Sequence, residues 1–145
     1  MKIEQRASEY EEATIRAFVI REKQERFIYL LANPKRRQKF IKELGHFRWF
    51  DPRFAVAVPW KVDPTLSLWG RHMQGIDNIR HLLESKGAGE FCWVISQNKK
   101  ADGRKLELKS VLDDLGGSRA GTILICIPGK LAYFEGEDES LLLSR

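Results

Sequence analysis

Apolar residues recur three and four apart through the first third of the chain. Ile3, Ala7, Tyr10, Thr14, Ala17 and Phe18 form a stripe that Phe27, Ile28 and Leu31 resume, which predicts one amphipathic helix from about Ile3 to Ala32. Glu9, Glu11 and Glu12 precede Arg16 and Arg21, an order that suits both the helix dipole and i,i+4 pairing. Asn33-Pro34 ends this helix, because proline disfavours helical geometry in the residue before it. Pro34 then opens a second helix to Leu44, with Phe40, Ile41 and Leu44 on its apolar face and Gly45 closing it. The two make an αα-hairpin over about 3–45.

The pattern shortens over about 54–145. Phe54 to Val58, bracketed by Asp51-Pro52 and Pro59, predicts a strand, and Leu66 to Trp69 a shorter one. Ile76, Ile79, Leu82 and Leu83 predict a helix from about Ile76 to Ser85, which Gly87 closes. A buried strand follows from Glu90 to Gln97, then a polar turn over Asn98–Arg104 and a short helix over Leu108–Leu115. Thr122–Ile127 and Leu131–Glu135 are strands joined at Pro128-Gly129. A type II turn there twists poorly for a two-residue hairpin, so a wider loop or a bulge is expected. Leu141–Leu143 adds an edge strand or a docked tail. The expected fold class is α+β, in one globular domain over 1–145. Its N-terminal αα-hairpin and further helices pack on one face of an antiparallel-rich sheet of about four to five strands.

Composition narrows the class of protein. With 43% hydrophobic and 31% charged residues among 145, the chain has enough apolar content for an ordinary packed core. No apolar run approaches the roughly 20 residues that span a bilayer, and Met1–Arg6 lacks the apolar core of a signal peptide. These features point to a cytoplasmic protein with no membrane partner. Cys92 and Cys126 each sit in an apolar segment with no neighbouring Cys or His, so they read as small buried hydrophobes rather than as a disulfide or zinc ligands. No cofactor motif is present, and no cofactor is expected.

Charge is distributed unevenly. Residues 1–80 carry an excess of six positive charges, and residues 81–145 an excess of one negative. Between Lys35 and Arg53 seven basic residues face two acidic ones, an excess equal to the net charge of +5 for the whole chain. Phe40, Phe47, Trp49 and Phe50 are threaded through the same stretch. Cations neutralise phosphates and rings offer stacking faces, so this segment is the principal candidate for contact with nucleic acid or an acidic protein surface. At helical spacing Arg36, Lys39 and Lys42 align as a cationic strip, with Arg48 and Trp49 beyond it. The plain alternative is that the rings are core and the cations a solvated helix face.

A second candidate is His72, Asp77 and His81. Asp77 and His81 share a helix face, and His72 completes three ligands for a divalent metal or a carboxylate-tuned general base in a small enzyme. Against this, the spacing matches no metal signature, and an acid in a first helical turn needs no further explanation. Trp60, Trp69 and Trp93 are candidates to line an apolar pocket. The loop Gly116–Gly121 has the composition of an anion nest but follows a helix instead of preceding one, the wrong order for a phosphate cradle. Ser96, Ser110 and Ser118 lie in no nucleophile elbow. His46 is read as helix-terminal, and the acidic run Glu135–Glu139 as a solvated loop.

Overall fold

A computed structural model describes residues 2–58, 62–115 and 120–145. Its elements are α1 (Lys2–Phe18), α2 (Arg21–Ala32), α3 (Pro34–Lys42), a 3-10 turn (Leu44–His46), β1 (Ala55–Ala57), α4 (Leu68–Ser85), β2 (Phe91–Ser96), β3 (Arg104–Glu107), α5 (Leu108–Leu115), β4 (Thr122–Ile127), β5 (Leu131–Glu135) and β6 (Ser140–Ser144). The fold is α+β, as its alternating and helical periods predict. Its single sheet has six strands in the order β1-β6-β5-β4-β2-β3, every neighbouring pair antiparallel. No helix among the described residues is long and apolar enough to cross a membrane.

Helices cover both faces of the sheet, not one. On the first face Ile15, Phe18, Phe27 and Phe40 from α1–α3 pack against Ile95, Ile123, Ile125, Ala132 and Phe134. On the second, Ile76, Ile79, Leu83, Val111 and Leu112 from α4 and α5 pack against Val94, Leu124, Leu131 and Tyr133. Odd and even positions of the central strands are therefore both buried, which is why β4 and β5 are nearly continuous apolar runs.

Four elements depart from the periodic reading. The long N-terminal helix is broken at Val19-Ile20. Ile20 N donates to Trp49 O at 2.8 Å and Asp51 N to Phe18 O at 2.7 Å, and Val19 pairs with Phe50 as an isolated bridge. The chain after α3 thus clamps the gap between α1 and α2, and the expected hairpin becomes three helices. Leu66–Trp69 is not a strand: Ser67 Oγ accepts from Gly70 N at 3.0 Å and caps α4, which starts eight residues before Ile76. Arg104–Glu107 forms edge strand β3, with only Leu106 to mark it. Leu141–Leu143 belongs to β6, which lies inside the sheet between β5 and β1.

The Pro128-Gly129 connection resolves as a tight turn with a bulge beside it. Lys130 N donates to Ile127 O at 3.0 Å, Gly129 holds a φ of 75°, and the β4–β5 register shifts between Ile125 and Ile127. A left-handed residue after proline is the type II geometry, and the extra residue in β4 adds the twist that this turn does not supply. Expectations that fall on Pro59, Trp60 and 116–119 lie outside the described residues.

One largely buried ion cluster joins the first helical layer to the sheet. Arg37 of α3 donates from Nη1 and Nη2 to the two carboxylate oxygens of Glu11 of α1, at 2.7 and 2.8 Å. On its other edge Nε and Nη2 reach both oxygens of Asp102, each at 2.9 Å. Glu11 also accepts from the Trp93 indole at 2.8 Å, and Asp102 from Ser96 N at 2.9 Å. Burial disfavours the guanidinium charge, but the hydrogen bonds to Asp102 and Glu11 outweigh it and raise the Arg37 pKa. Replacing Arg37 by Met leaves two inward carboxylates without a counter-charge. Such a loss costs about 3–5 kcal/mol, and a large fall in the urea midpoint of Arg37→Met is the expected result.

Glu135 ends β5 on the Tyr133 side. Burial pushes its carboxyl up to about 7 from the ordinary 4.5, the Tyr133 hydroxyl standing 3.5 Å away. Its Oε2 has no hydrogen-bond partner among the described residues. The native state keeps a proton that the unfolded chain releases, so this contribution to stability is full below pH 4.5 and declines as pH rises through 7. Glu135→Gln removes the decline. Melting curves of variant and parent are expected to converge near pH 4 and to separate at pH 8, the variant more stable by up to about 3 kcal/mol.

Candidate functional site

The basic stretch divides into cations that serve the fold and cations that remain at the surface. Arg37 is consumed by Glu11 and Asp102, and Arg53 pairs with Asp51 at 2.7 Å. Arg36, expected in the cationic strip, instead lies over the Tyr29 ring, 4.4 Å from its centroid. Lys39, Lys42 and Arg48 are exposed and line one groove of about 580 Å³, together with Trp49.

Three segments build the groove. Asn33 caps α3, its Oδ1 accepting from Lys35 N and Arg36 N, and Pro34 fills the first helical position, which sets the phase that turns Lys39 and Lys42 outward. Helix α2 contributes Lys23, Arg26, Phe27 and Leu30, which share one helix face. The segment after the 3-10 turn adds Phe47, Arg48 and Trp49, held in place by the clamp of Trp49 and Asp51 onto the α1–α2 break. Sequence spacing does not reveal Lys23 and Arg26 as members of this site. They lie on another helix, and only the packing of α2 on α3 brings them there.

The aromatic residues of the stretch separate cleanly. Phe40, Phe47 and Phe50 are core. Phe27, Phe40 and Phe47 form a triangle with centroids 5.2–5.6 Å apart, and Phe47 and Phe50 continue it to Phe134 of β5. This cluster makes the floor of the groove rigid. Trp49 stands at the rim with 41% of its surface exposed, and Lys23 Nζ sits 4.5 Å from its ring centroid.

Five cations, Lys23, Arg26, Lys39, Lys42 and Arg48, line the groove against one carboxylate, Glu43. Arg26, Lys39, Lys42 and Arg48 form no ion pair with the described residues. A helix C-terminus ordinarily repels anions through its free carbonyls, and here those carbonyls are occupied. Gln97 Nε2 donates to Ile41 O and Lys42 O at 3.0 and 3.2 Å, and Glu43 N to Phe40 O at 3.2 Å. The carbonyls of Glu43, Leu44 and Gly45 accept from the N–H groups of His46, Phe47 and Glu137. Gln97 in turn accepts from Gly121 N at 2.7 Å, which presses β4 against the 3-10 turn. A Cβ on Gly121 would stand 2.4 Å from Gly45 N, so only glycine permits this approach. His46 ends the 3-10 turn, in keeping with its helix-terminal reading, and lines the groove with its Nε2 2.7 Å from Glu137 Oε2.

The second candidate does not assemble as a metal site. His72 stacks on the exposed Trp69, Asp77 pairs with Arg80 at 3.4 Å, and His81 is exposed. Among the described residues, no three His, Cys, Asp or Glu side chains stand close enough together to hold a metal. Trp69 and Trp93 belong to opposite faces of the sheet, the indole of Trp93 turned to Glu11, so they share no pocket. Ser96 bonds to Thr122, and Ser110 to Glu107. Cys92 and Cys126 are free, and burial pushes both thiols up to about 12, which keeps them protonated and unreactive at neutral pH.

Compared with models of known families, with curated proteins and with solved structures, the chain finds no match.

Phe47 and Trp49, with one residue between them, have different expected behaviour. Phe47→Ala opens a cavity in the ring cluster and is expected to cost about 3–5 kcal/mol. Trp49→Ala, at the rim, is expected to cost about 1 kcal/mol or less. Chemical denaturation of both variants checks the division, and equal losses would contradict it.

Proposed function

We propose that this protein is a small binding module whose α2–α3 groove contacts nucleic acid through its phosphates. The observation that carries the reading is the convergence of five cations from three separate segments around one aromatic-floored groove, none of them in an ion pair among the described residues. Cations that only solubilise a helix have no reason to converge. Cations that neutralise a polyanion must do so within a few ångströms of its phosphates. The occupied carbonyls at the end of α3 and the ring at the rim favour the same ligand.

Binding of this kind releases counter-ions and weakens with salt. With about four phosphates neutralised, affinity is expected to fall roughly 50-fold for a single strand, or roughly 150-fold for a duplex, between 50 and 200 mM salt. The double variant Lys39→Glu, Arg48→Glu is expected to abolish binding with an unchanged melting temperature. Arg36→Glu, outside the groove, is expected to have a minor effect. Fluorescence anisotropy with a labelled oligomer reads all three. No binding by the parent at low salt, or undiminished binding by the double variant, contradicts the proposal. So does a complex with an acidic protein that survives nuclease and competes for the same residues.

A further inference from the structure

We infer that the groove takes an unpaired strand and not a duplex, with a base stacked on Trp49, an inference that rests on the nucleic-acid reading of the same groove. Shape is the first argument. Proteins that read a duplex push a helix or ribbon into one of its grooves. Here α2 and α3 are the walls of a recess, and their cations flank it instead of projecting from it. A rigid duplex can only ride over the rim. An unpaired strand can bend inward, and about 580 Å³ is within the range that encloses a drug-sized molecule, enough for one or two nucleotides.

The second argument is the division of labour among the rings. Phe27, Phe40 and Phe47 are committed to one another and to the core, so they form an apolar floor without an open face. Trp49 is the exposed ring of the groove, and its backbone is fixed by the hydrogen bond from Ile20 N. A pre-positioned indole loses little freedom on stacking, and every base has a face to offer it. Lys23 holds one face of the indole, so a base stacks on the other, with Arg48 next to Trp49 in the chain to meet the phosphates. That is the arrangement of a single-strand platform: stacking at one point, phosphates neutralised around it.

The test compares ligands at fixed salt by anisotropy. The ligands are single-stranded DNA and RNA 12-mers, the DNA duplex of the same sequence, the DNA strand with abasic sites, and adenosine monophosphate as an unlabelled competitor. At least one single strand is expected to bind ten or more times as tightly as the duplex. Trp49→Ala is expected to lower single-strand affinity by roughly tenfold, to leave duplex and abasic affinity within about twofold, and to be largely rescued by Trp49→Phe. The inference is overturned if the duplex or the abasic strand matches the intact strand. It is equally overturned if Trp49→Ala weakens all ligands alike or none, or if the mononucleotide competes as well as the 12-mer. Duplex binding that matches the strand and is lost in Lys39→Glu, Arg48→Glu overturns this inference and leaves the nucleic-acid reading standing. Failure of every oligomer overturns both.

Discussion

The guanidinium of Arg37, gripped on two edges by Glu11 and Asp102, ties the N-terminal helical layer to the sheet. Its five N–H groups all find acceptors, the fifth being Leu31 O at 3.5 Å from Nη1. Two carboxylates around one cation leave an excess negative charge, which the neutral donors Trp93 Nε1 and Ser96 N help to offset. A buried cluster like this contributes little net stability compared with apolar packing, yet it is intolerant of partial loss. What it adds is register. Helix α3 can sit on the sheet in the one position where Arg37 meets both carboxylates.

The groove follows from that register. Once Arg37 points inward, the helical period places Phe40 and Ile41 in the core and turns Lys39 and Lys42 outward along the rim. Gln97 secures the far end of α3 to the sheet, and the contact of Gly121 with Gly45 fixes where the chain leaves the 3-10 turn. From there the chain reaches back to the α1–α2 break, which orients Arg48 and Trp49 toward α2. The same excess of positive charge thus has two uses within a few residues. One arginine is neutralised to build the fold, and its neighbours remain available because the fold holds them apart from carboxylates.

Much of the sheet is legible in the chain because its signals are local. The β-branched run Thr122–Ile127, the Pro-Gly turn after it and the short helix Leu108–Leu115 all appear where their patterns place them. What is not legible is set by distant partners. The break at Val19-Ile20 is invisible in a continuous apolar stripe, since the donors and acceptors that open the helix come from Trp49 and Asp51. Strand β3 has a single half-buried apolar residue, and the interior position of β6 depends on a pairing with β1 more than eighty residues earlier. The candidate site divides in the same way. Lys39, Lys42, Arg48 and Trp49 are recognisable from clustering. Arg36 is not separable from them without knowing what its side chain meets, and Lys23 and Arg26 give no local sign at all.

On the proposed reading, one face of the molecule, set by the Arg37 register, receives an anionic strand. Backbone amide shifts of isotope-labelled protein, followed by NMR during titration with a single-stranded 12-mer, test it most directly. Saturable shifts are expected, confined to α2, the end of α3 and residues 46–49, with the exposed Leu68–Trp69 end of α4 unmoved. Shifts centred on that end of α4, or spread evenly over the lysines and arginines of the whole surface, would contradict it.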